Sequence, residues 1–270
     1  MTSLPKRFRD LGTVCDRGWA LMRDAEGYLS EREARCLMMA AALSPAEGAN
    51  VEIGSFKGRS TIGLAHVCSH YRLGVIVAVD PHTAPSVTDP DLKGGASTLN
   101  EFRTNIKRAG MAGAVDERVM YSGALAAKWD EPIRFLWIDG DHTYEGAKAD
   151  VELFKPYLVP GALLLMHDVL GTHYGSLRVF IENVLGSDDF GPAGYSGSIG
   201  WAQYRPLDGS RPGYRIKRRL LAIPAQQILP VAKSPRGLAG WNKLRYKIWR
   251  PLAPHGAMTP QKLWSQICRA

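Results

Sequence analysis

Short apolar runs and amphipathic stretches take turns along most of the chain, and that alternation predicts its architecture. The runs at 50–53, 75–79, 118–121, 134–138 and 162–166 have strand length and are rich in branched and aromatic residues. Between and after them, apolar residues recur at helical spacing over 58–71, 97–109, 144–158 and 175–185. In the 144–158 segment Ala147, Val151, Phe154 and Leu158 share one stripe, Lys148, Asp150, Glu152 and Lys155 face water, and Pro160 with Gly161 marks the end. Such alternation builds βαβ units, so the expected class is α/β: a Rossmann-like, doubly wound, mostly parallel seven-stranded sheet with helices on both faces. A pair of short strands around 198–204 closes it.

The flanks differ from this centre. From residue 8 to about 43 the pattern is helical, with Leu21, Met22, Leu29, Leu37, Met38 and Leu43 among alanines and charges, and Ser30 with Glu33 reads as a capping box. Past Arg205 eight prolines interrupt a stretch rich in Arg, Lys and Trp, which predicts no long helix and no second core. Three parts follow: an N-terminal helical segment (1–45), a central domain (46–206) and a C-terminal extension (207–270). The net charge of +8 belongs to the last of these, where 13 Lys and Arg face one acid, Asp208, while residues 1–206 hold 21 bases against 25 acids. The 45% hydrophobic content excludes disorder throughout. Four scattered cysteines without metal-like spacing, and no apolar run suited to a signal or a membrane span, lead us to expect a cytoplasmic protein with reduced thiols.

The candidate chemistry sits at strand ends. VEIGSFKGRST (51–61) is an apolar strand, a glycine turn and a helix start, a geometry that brings backbone N–H groups to a nucleotide-like ligand. Its form is E-x-G-x-x-x-G, and Phe56 stands where a dinucleotide fingerprint needs glycine, so NAD is disfavoured. The motif resembles the first motif of class I S-adenosylmethionine (SAM) dependent methyltransferases, nearest to catechol-type and macrolide-sugar O-methyltransferases. The resemblance implies SAM contacts at Glu52, Gly54, Ser55, Gly58 and Ser60. It also implies ribose binding by Asp80 in VIVAVDPH, where a carboxylate accepts from vicinal hydroxyls, and an adenine-contacting turn at Ser122 and Gly123.

IDGDHTYEG (138–146) and PGALLLMHD (160–168) set acids and imidazoles after two further strands. They resemble the metal-dependent branch that includes macrocin-type sugar methyltransferases, which implies a divalent cation held by Asp139, His167 and Asp168, with Asp139 also facing the cofactor. Mg²⁺ is the expected ion; the imidazole of His167, a departure from the usual acid or amide, brings in Mn²⁺ as the alternative. His142 is the candidate general base, with an ordinary pKa of ~6.5 suited to neutral pH. Asp141 is its rival, and capping of the following helix is an equal reading of Asp141. His82 and His173 lie on neighbouring loops, and His66 and His70 read as packing or surface residues.

The implied activity is transfer of a methyl group to a hydroxyl of a sugar, polyol or glycolipid precursor, with a phenolic or natural-product acceptor as the first alternative. A nucleic-acid-binding protein working through its tail and a related oxidation chemistry are the others. The tail motifs YRIKRRL (214–220) and WNKLRYKIWR (241–250) mix cations with aromatics. They suit wrapping over the domain first, an anionic membrane or glycolipid second and nucleic acid last. The expected partners are therefore the sugar or polyol substrate, a second copy in a homodimer, and the inner membrane surface.

Overall fold

The computed structural model describes residues 3–83, 97–234 and 237–268. Its centre is a seven-stranded sheet built from β1 (Ala49–Ile53), β2 (Ile76–Val79), β3 (Val115–Arg118), β4 (Ile133–Ile138), β5 (Leu158–Met166), β6 (Phe190–Ser196) and β7 (Ile199–Tyr204). The order is β3-β2-β1-β4-β5-β7-β6, with β1 to β5 parallel and β7 antiparallel to both neighbours. The expected Rossmann-like architecture is borne out. The order reverses between β1 and β4, and ligands of open α/β sheets bind beyond the carboxyl ends of the strands at such a switch.

Alternate residues of the central strands enter different layers, because successive side chains of a strand point to opposite faces. Phe135 and Trp137 on β4, with Leu163 and Leu165 on β5, pack with α1 (Leu11–Met22), α2 (Glu31–Leu43) and α3 (Arg59–His70). Leu136, Ile138, Leu164 and Met166 pack on the opposite layer with α6 (Tyr144–Phe154) and α7 (Tyr174–Val179). The first layer is pinned by Arg134, a buried guanidinium that donates to the carbonyls of Ala41, Ser44 and Ala46 and to Asn50 Oδ1, so the end of α2 is tied to β1 and β4. The capping box at Ser30 and Glu33 is present as read.

Several expectations shift. β3 covers Val115–Arg118 rather than 118–121, since it pairs on one side only, with β2, and burial does not select its apolar end. The 97–109 segment yields α4 (Leu99–Arg108), and Ser122 opens an unforeseen short helix, α5 (Ser122–Ala126). α6 ends at Phe154; Leu158 starts β5, where an irregularity in the pairing with β4 accommodates Pro160 and Gly161. Asp150 does not face water: it is buried and accepts from the Ser122 hydroxyl at 2.6 Å.

The largest correction is the tail, which forms α8 (Pro212–Lys233), α9 (Gly240–Trp249) and α10 (Pro260–Ile267). α8 runs 22 residues with Pro224 and Pro230 inside it. An interior proline costs ~3 kcal/mol or more, but Leu221, Ala225, Ile228 and Val231 bury an apolar face, worth ~1.5–3 kcal/mol for each large side chain. Leu221, Ala225 and Ile228 join the second layer and Leu263 and Ile267 of α10 join the first, so the tail extends existing cores and makes no second one. Among the described residues no helix is long and apolar enough to cross a membrane.

Candidate active site

Two turns meet beyond the carboxyl ends of β1 and β4. Gly54 has φ +86°, and a Cβ there would lie 2.2 Å from the Asp139 carbonyl oxygen, so this position needs glycine both for its conformation and for the close approach. Gly58, with φ +85°, is the N-cap of α3. The Asp80 carboxylate holds this loop from the next strand: Oδ2 accepts from the Phe56 N–H at 2.8 Å and Oδ1 from the His82 N–H at 2.7 Å. Glu52 is fully buried behind the turn; its Oε2 accepts from Thr61 Oγ1 at 2.5 Å and its Oε1 has no partner among the described residues. Burial pushes its carboxyl up to about 8, against the Ser60 and Thr61 hydroxyls.

At the ends of β4 and β5 four side chains converge. Asp139, His142, His167 and Asp168 each present one donor atom, all within 4.8 Å of one another. His167 Nδ1 lies 3.1 Å from Asp139 Oδ1 and 3.5 Å from Asp168 Oδ2. His142 Nε2 lies 3.5 and 3.4 Å from the same two carboxylates, is buried and has no hydrogen-bond partner among the described residues. Asp168 holds φ +55°, a strained conformation for a non-glycine residue. The His173 ring packs 4.5 Å from that of His142, and its Nε2 is 3.5 Å from Asp168 Oδ2.

Charge follows from this crowding. Burial alone would raise Asp139, but His167 and His142 outweigh it and hold the carboxyl well below the ordinary range. Burial opposes charging of His167, yet Asp139 and then Asp168 push it up to about 10, and His142 is raised by the same pair. Asp139 therefore stays ionised, balanced by protons on the imidazoles that a bound cation would displace, which would leave the ring nitrogens free to ligate or to accept a proton. Two carboxylates and two imidazoles around one point, one ring nitrogen unpaired, are a donor set that fits a divalent cation; the mixed nitrogen and oxygen set suits Mn²⁺ or another transition ion as well as Mg²⁺.

A cavity of about 440 Å³ connects the two corners, within the range of small-molecule sites. Of the residues expected at the site, Gly54, Ser55, Ser60, Asp139, His142, His167 and Asp168 line it, and so does His173. Asp80, Gly58, Ser122 and Gly123 stand outside that lining, and residues 84–96, following Asp80, lie outside the described residues. Asp141 turns away: its carboxylate accepts from Thr143 N at 2.9 Å and Thr143 Oγ1 at 3.0 Å, while Thr143 caps α6. His82 is buried against Thr98 and Phe102, His70 bonds Asp10 at the surface, and His66 is half-buried in α3.

Residues 51–169 match the family described as "Methyltransferase domain". The domain's fold is shared with solved O-methyltransferases. NovP superimposes with a TM-score of 0.61 at 11% identity, covering 74% of this chain and 100% of that one. An O-methyltransferase from Bacillus cereus in complex with SAH gives 0.50 at 20% identity over 72% and 90% of the two chains. The cofactor-bound Rv0187 from MTB gives 0.52 at 17% identity over 75% and 91%. The expected class, a SAM-dependent methyltransferase, agrees with the family that residues 51–169 match and with the shared fold.

The cavity has a further wall that the sequence did not announce. The loop between α1 and α2 places Glu26, Gly27 and Tyr28 opposite the acid and imidazole corner. Arg59, in the first turn of α3, donates from Nη1 to the Gly27 carbonyl at 2.6 Å, stacks over Trp19 and leaves its Nε without a partner among the described residues. Tyr28, 60% exposed, stacks beside Phe56. Glu33 does more than cap α2: it accepts from Ser198 N and Ser198 Oγ, and the Ser198 carbonyl accepts from Val169 N, next to Asp168. Only the capping pattern of Glu33 was visible beforehand.

Proposed function

We propose that the protein is a SAM-dependent O-methyltransferase in which Asp139, His167 and Asp168 hold a divalent cation and His142 accepts the proton of the attacking hydroxyl. The observation that carries this is the convergence of those four side chains, with His142 Nε2 unpaired among the described residues and lying between Asp139 and Asp168, at the edge of the cavity lined by the glycine turn. A bound cation lowers the pKa of an alcohol and stabilises the alkoxide, which a weakly acidic aliphatic hydroxyl requires. The chain's own groups do the rest. Gly54, Ser55 and Ser60 line the face that takes the methionine part of SAM, and Asp80 steadies the turn beside the ribose. The acceptor oxygen forms a bond to the methyl carbon, the carbon–sulfur bond breaks with its electron pair going to sulfur, and the hydroxyl proton passes to His142 Nε2.

The acceptor we infer is a sugar or similar polyol. Glu26, Arg59 and Ser198 offer hydrogen-bonding groups around an exposed aromatic ring, Tyr28, a mixture that suits hydroxyl-rich faces. Turnover of labelled SAM against saccharide and catechol panels, with and without EDTA, tests the reading. Metal-dependent methylation of saccharides supports it. Turnover of catechols alone overturns the acceptor, and EDTA-insensitive turnover overturns the metal.

A further inference from the structure

The two C-terminal motifs that mix cations with aromatics fall on helices whose outward faces are apolar. α8 turns Tyr214, Arg218, Leu221, Ala225 and Ile228 inward. On its outward side stand Ile216, Leu220 and Ile223, at i, i+4 and i+7, with Leu220 61% exposed. Arg215 and Arg219 flank that stripe on one side and Lys217 on the other. α9 repeats the arrangement: Trp241, Leu244 and Ile248 lie exposed at i, i+3 and i+7, Trp241 by 84%, with Lys243 and Lys247 along one edge. The two helices pack as a hairpin in which Arg245 donates to the Gln227 carbonyl at 2.6 Å and to Gln227 Oε1 at 2.7 Å, so neither stripe is the seam between them. A shallow cavity lined by Arg215, Arg218, Arg219 and Asp188 opens beside α8.

We propose that these outward faces of α8 and α9 dock the enzyme on an anionic lipid surface. Three features select that occupant. No acid follows Asp208 in the sequence, and Asp188, the carboxylate beside α8, is paired with Arg215 and Arg218, so the face keeps a positive excess from Lys217, Arg219, Lys243 and Lys247 and calls for a negative partner. A second copy meeting this face across a two-fold axis would set cation against cation. Nucleic acid would engage the cations and the Trp241 ring but has no counterpart for Ile216, Leu220, Ile223, Leu244 and Ile248. A bilayer interface takes both: aliphatic side chains enter the acyl boundary while Lys and Arg stay among head groups. α8 and α9 remain folded on the domain, so the contact is peripheral. The inference is independent of the acceptor, and it gives a physical reason for a basic tail on a chain otherwise slightly acidic.

Full-length protein is tested by co-sedimentation with vesicles of phosphatidylcholine alone and of phosphatidylcholine with phosphatidylglycerol. The expected result is binding to the anionic vesicles only, weakened by salt. Leu220→Glu with Ile248→Glu should reduce the partition at least about tenfold, and each of Lys217→Gln, Lys243→Gln and Lys247→Gln about fivefold. Thermal melting and SAM affinity of the variants, measured alongside, show that the fold persists. Should a variant not fold, brominated lipid reads the same contact in native protein: it quenches a component of fluorescence that Trp241→Phe removes. Equal binding to neutral vesicles overturns the proposal, as does native-like binding by Leu220→Glu with Ile248→Glu, or quenching unchanged by Trp241→Phe. Displacement from vesicles by RNA that Leu220→Glu leaves intact favours nucleic acid instead, and a native dimer that these variants convert to monomer assigns the face to a second copy.

Discussion

The two corners of the cavity use acids in opposite ways. Around the ends of β1, β2 and β3, Asp80 gives one carboxylate oxygen to the Phe56 N–H and the other to the His82 N–H, Glu52 accepts from Thr61, and Ser122 donates to Asp150 on α6. After β4 and β5, Asp139 and Asp168 have no such backbone partner among the described residues: they face His142 and His167, and His142 Nε2 finds no hydrogen bond there. One corner uses side chains to shape a backbone that then touches a ligand. The other gathers side chains to touch something themselves. The first should therefore tolerate substitutions as losses of affinity, and the second should register them as losses of the chemical step.

The sharpest test of that contrast is Asp139→Ala and His167→Ala. Loss of the several kcal/mol a metal ion supplies to developing negative charge corresponds to a fall in kcat of about 10³ or more, matched by EDTA treatment of the native enzyme and by loss of bound metal on elemental analysis. SAM affinity, read by calorimetry, should change far less. If both variants kept native turnover, the corner would be structural. Gly54→Ala comes next, because it strikes where the corners touch. With φ at +86° and the new Cβ 2.2 Å from the Asp139 carbonyl, the strain and clash should cost about 3 kcal/mol or more, lowering both the melting temperature and turnover.

Asp80→Asn addresses the shaping corner alone. Asn keeps one acceptor but turns an N–H₂ toward a backbone N–H, and loss of a charge-assisted bond is worth about 1.5–3 kcal/mol. The expected outcome is a KM for SAM raised roughly tenfold to a hundredfold, with kcat at saturating SAM within about twofold. A collapse of kcat without a KM change would erase the distinction between the two corners.

The same physics sets how far the sequence could be read. Strands buried on both faces, such as those carrying Val51, Leu136 and Leu164, are legible because only a central strand keeps so apolar a run, and sheet topology then forces whatever follows them, Gly54, Asp139 and His167, to one edge. β3 is misplaced by three residues because an edge strand carries a weak pattern. α8 is missed because Pro224 and Pro230 weigh against it locally while burial of Leu221, Ala225 and Ile228 decides in its favour globally. Tyr28 and Arg59 reach the cavity through the packing of the α1–α2 loop on α3, with Gly27 making room for the Arg59 stem, and no local motif encodes that approach.

The effect expected to touch turnover least, because it acts on stability alone, belongs to Glu52, an acid in the shaping corner that is only half satisfied among the described residues. Its folded-state carboxyl lies at about 8, against 4.5 for the free group. Between those values the folded protein retains a proton that the unfolded chain has released, so stability falls as pH rises through that window and levels off above it. Below pH 4.5 both states are protonated and the contribution is complete. One pKa unit corresponds to about 1.4 kcal/mol, so the loss by pH 9 is on the order of a few kcal/mol. Glu52→Gln has no proton to lose and keeps an acceptor for the Thr61 hydroxyl. The SAM-free variant should melt close to native protein at pH 5 and clearly above it at pH 9, as followed by calorimetry. A gap that stays constant with pH would mean that Glu52 is already ionised in the fold, held by groups outside Ser60 and Thr61, and that the shaping corner carries a free charge as the other one does.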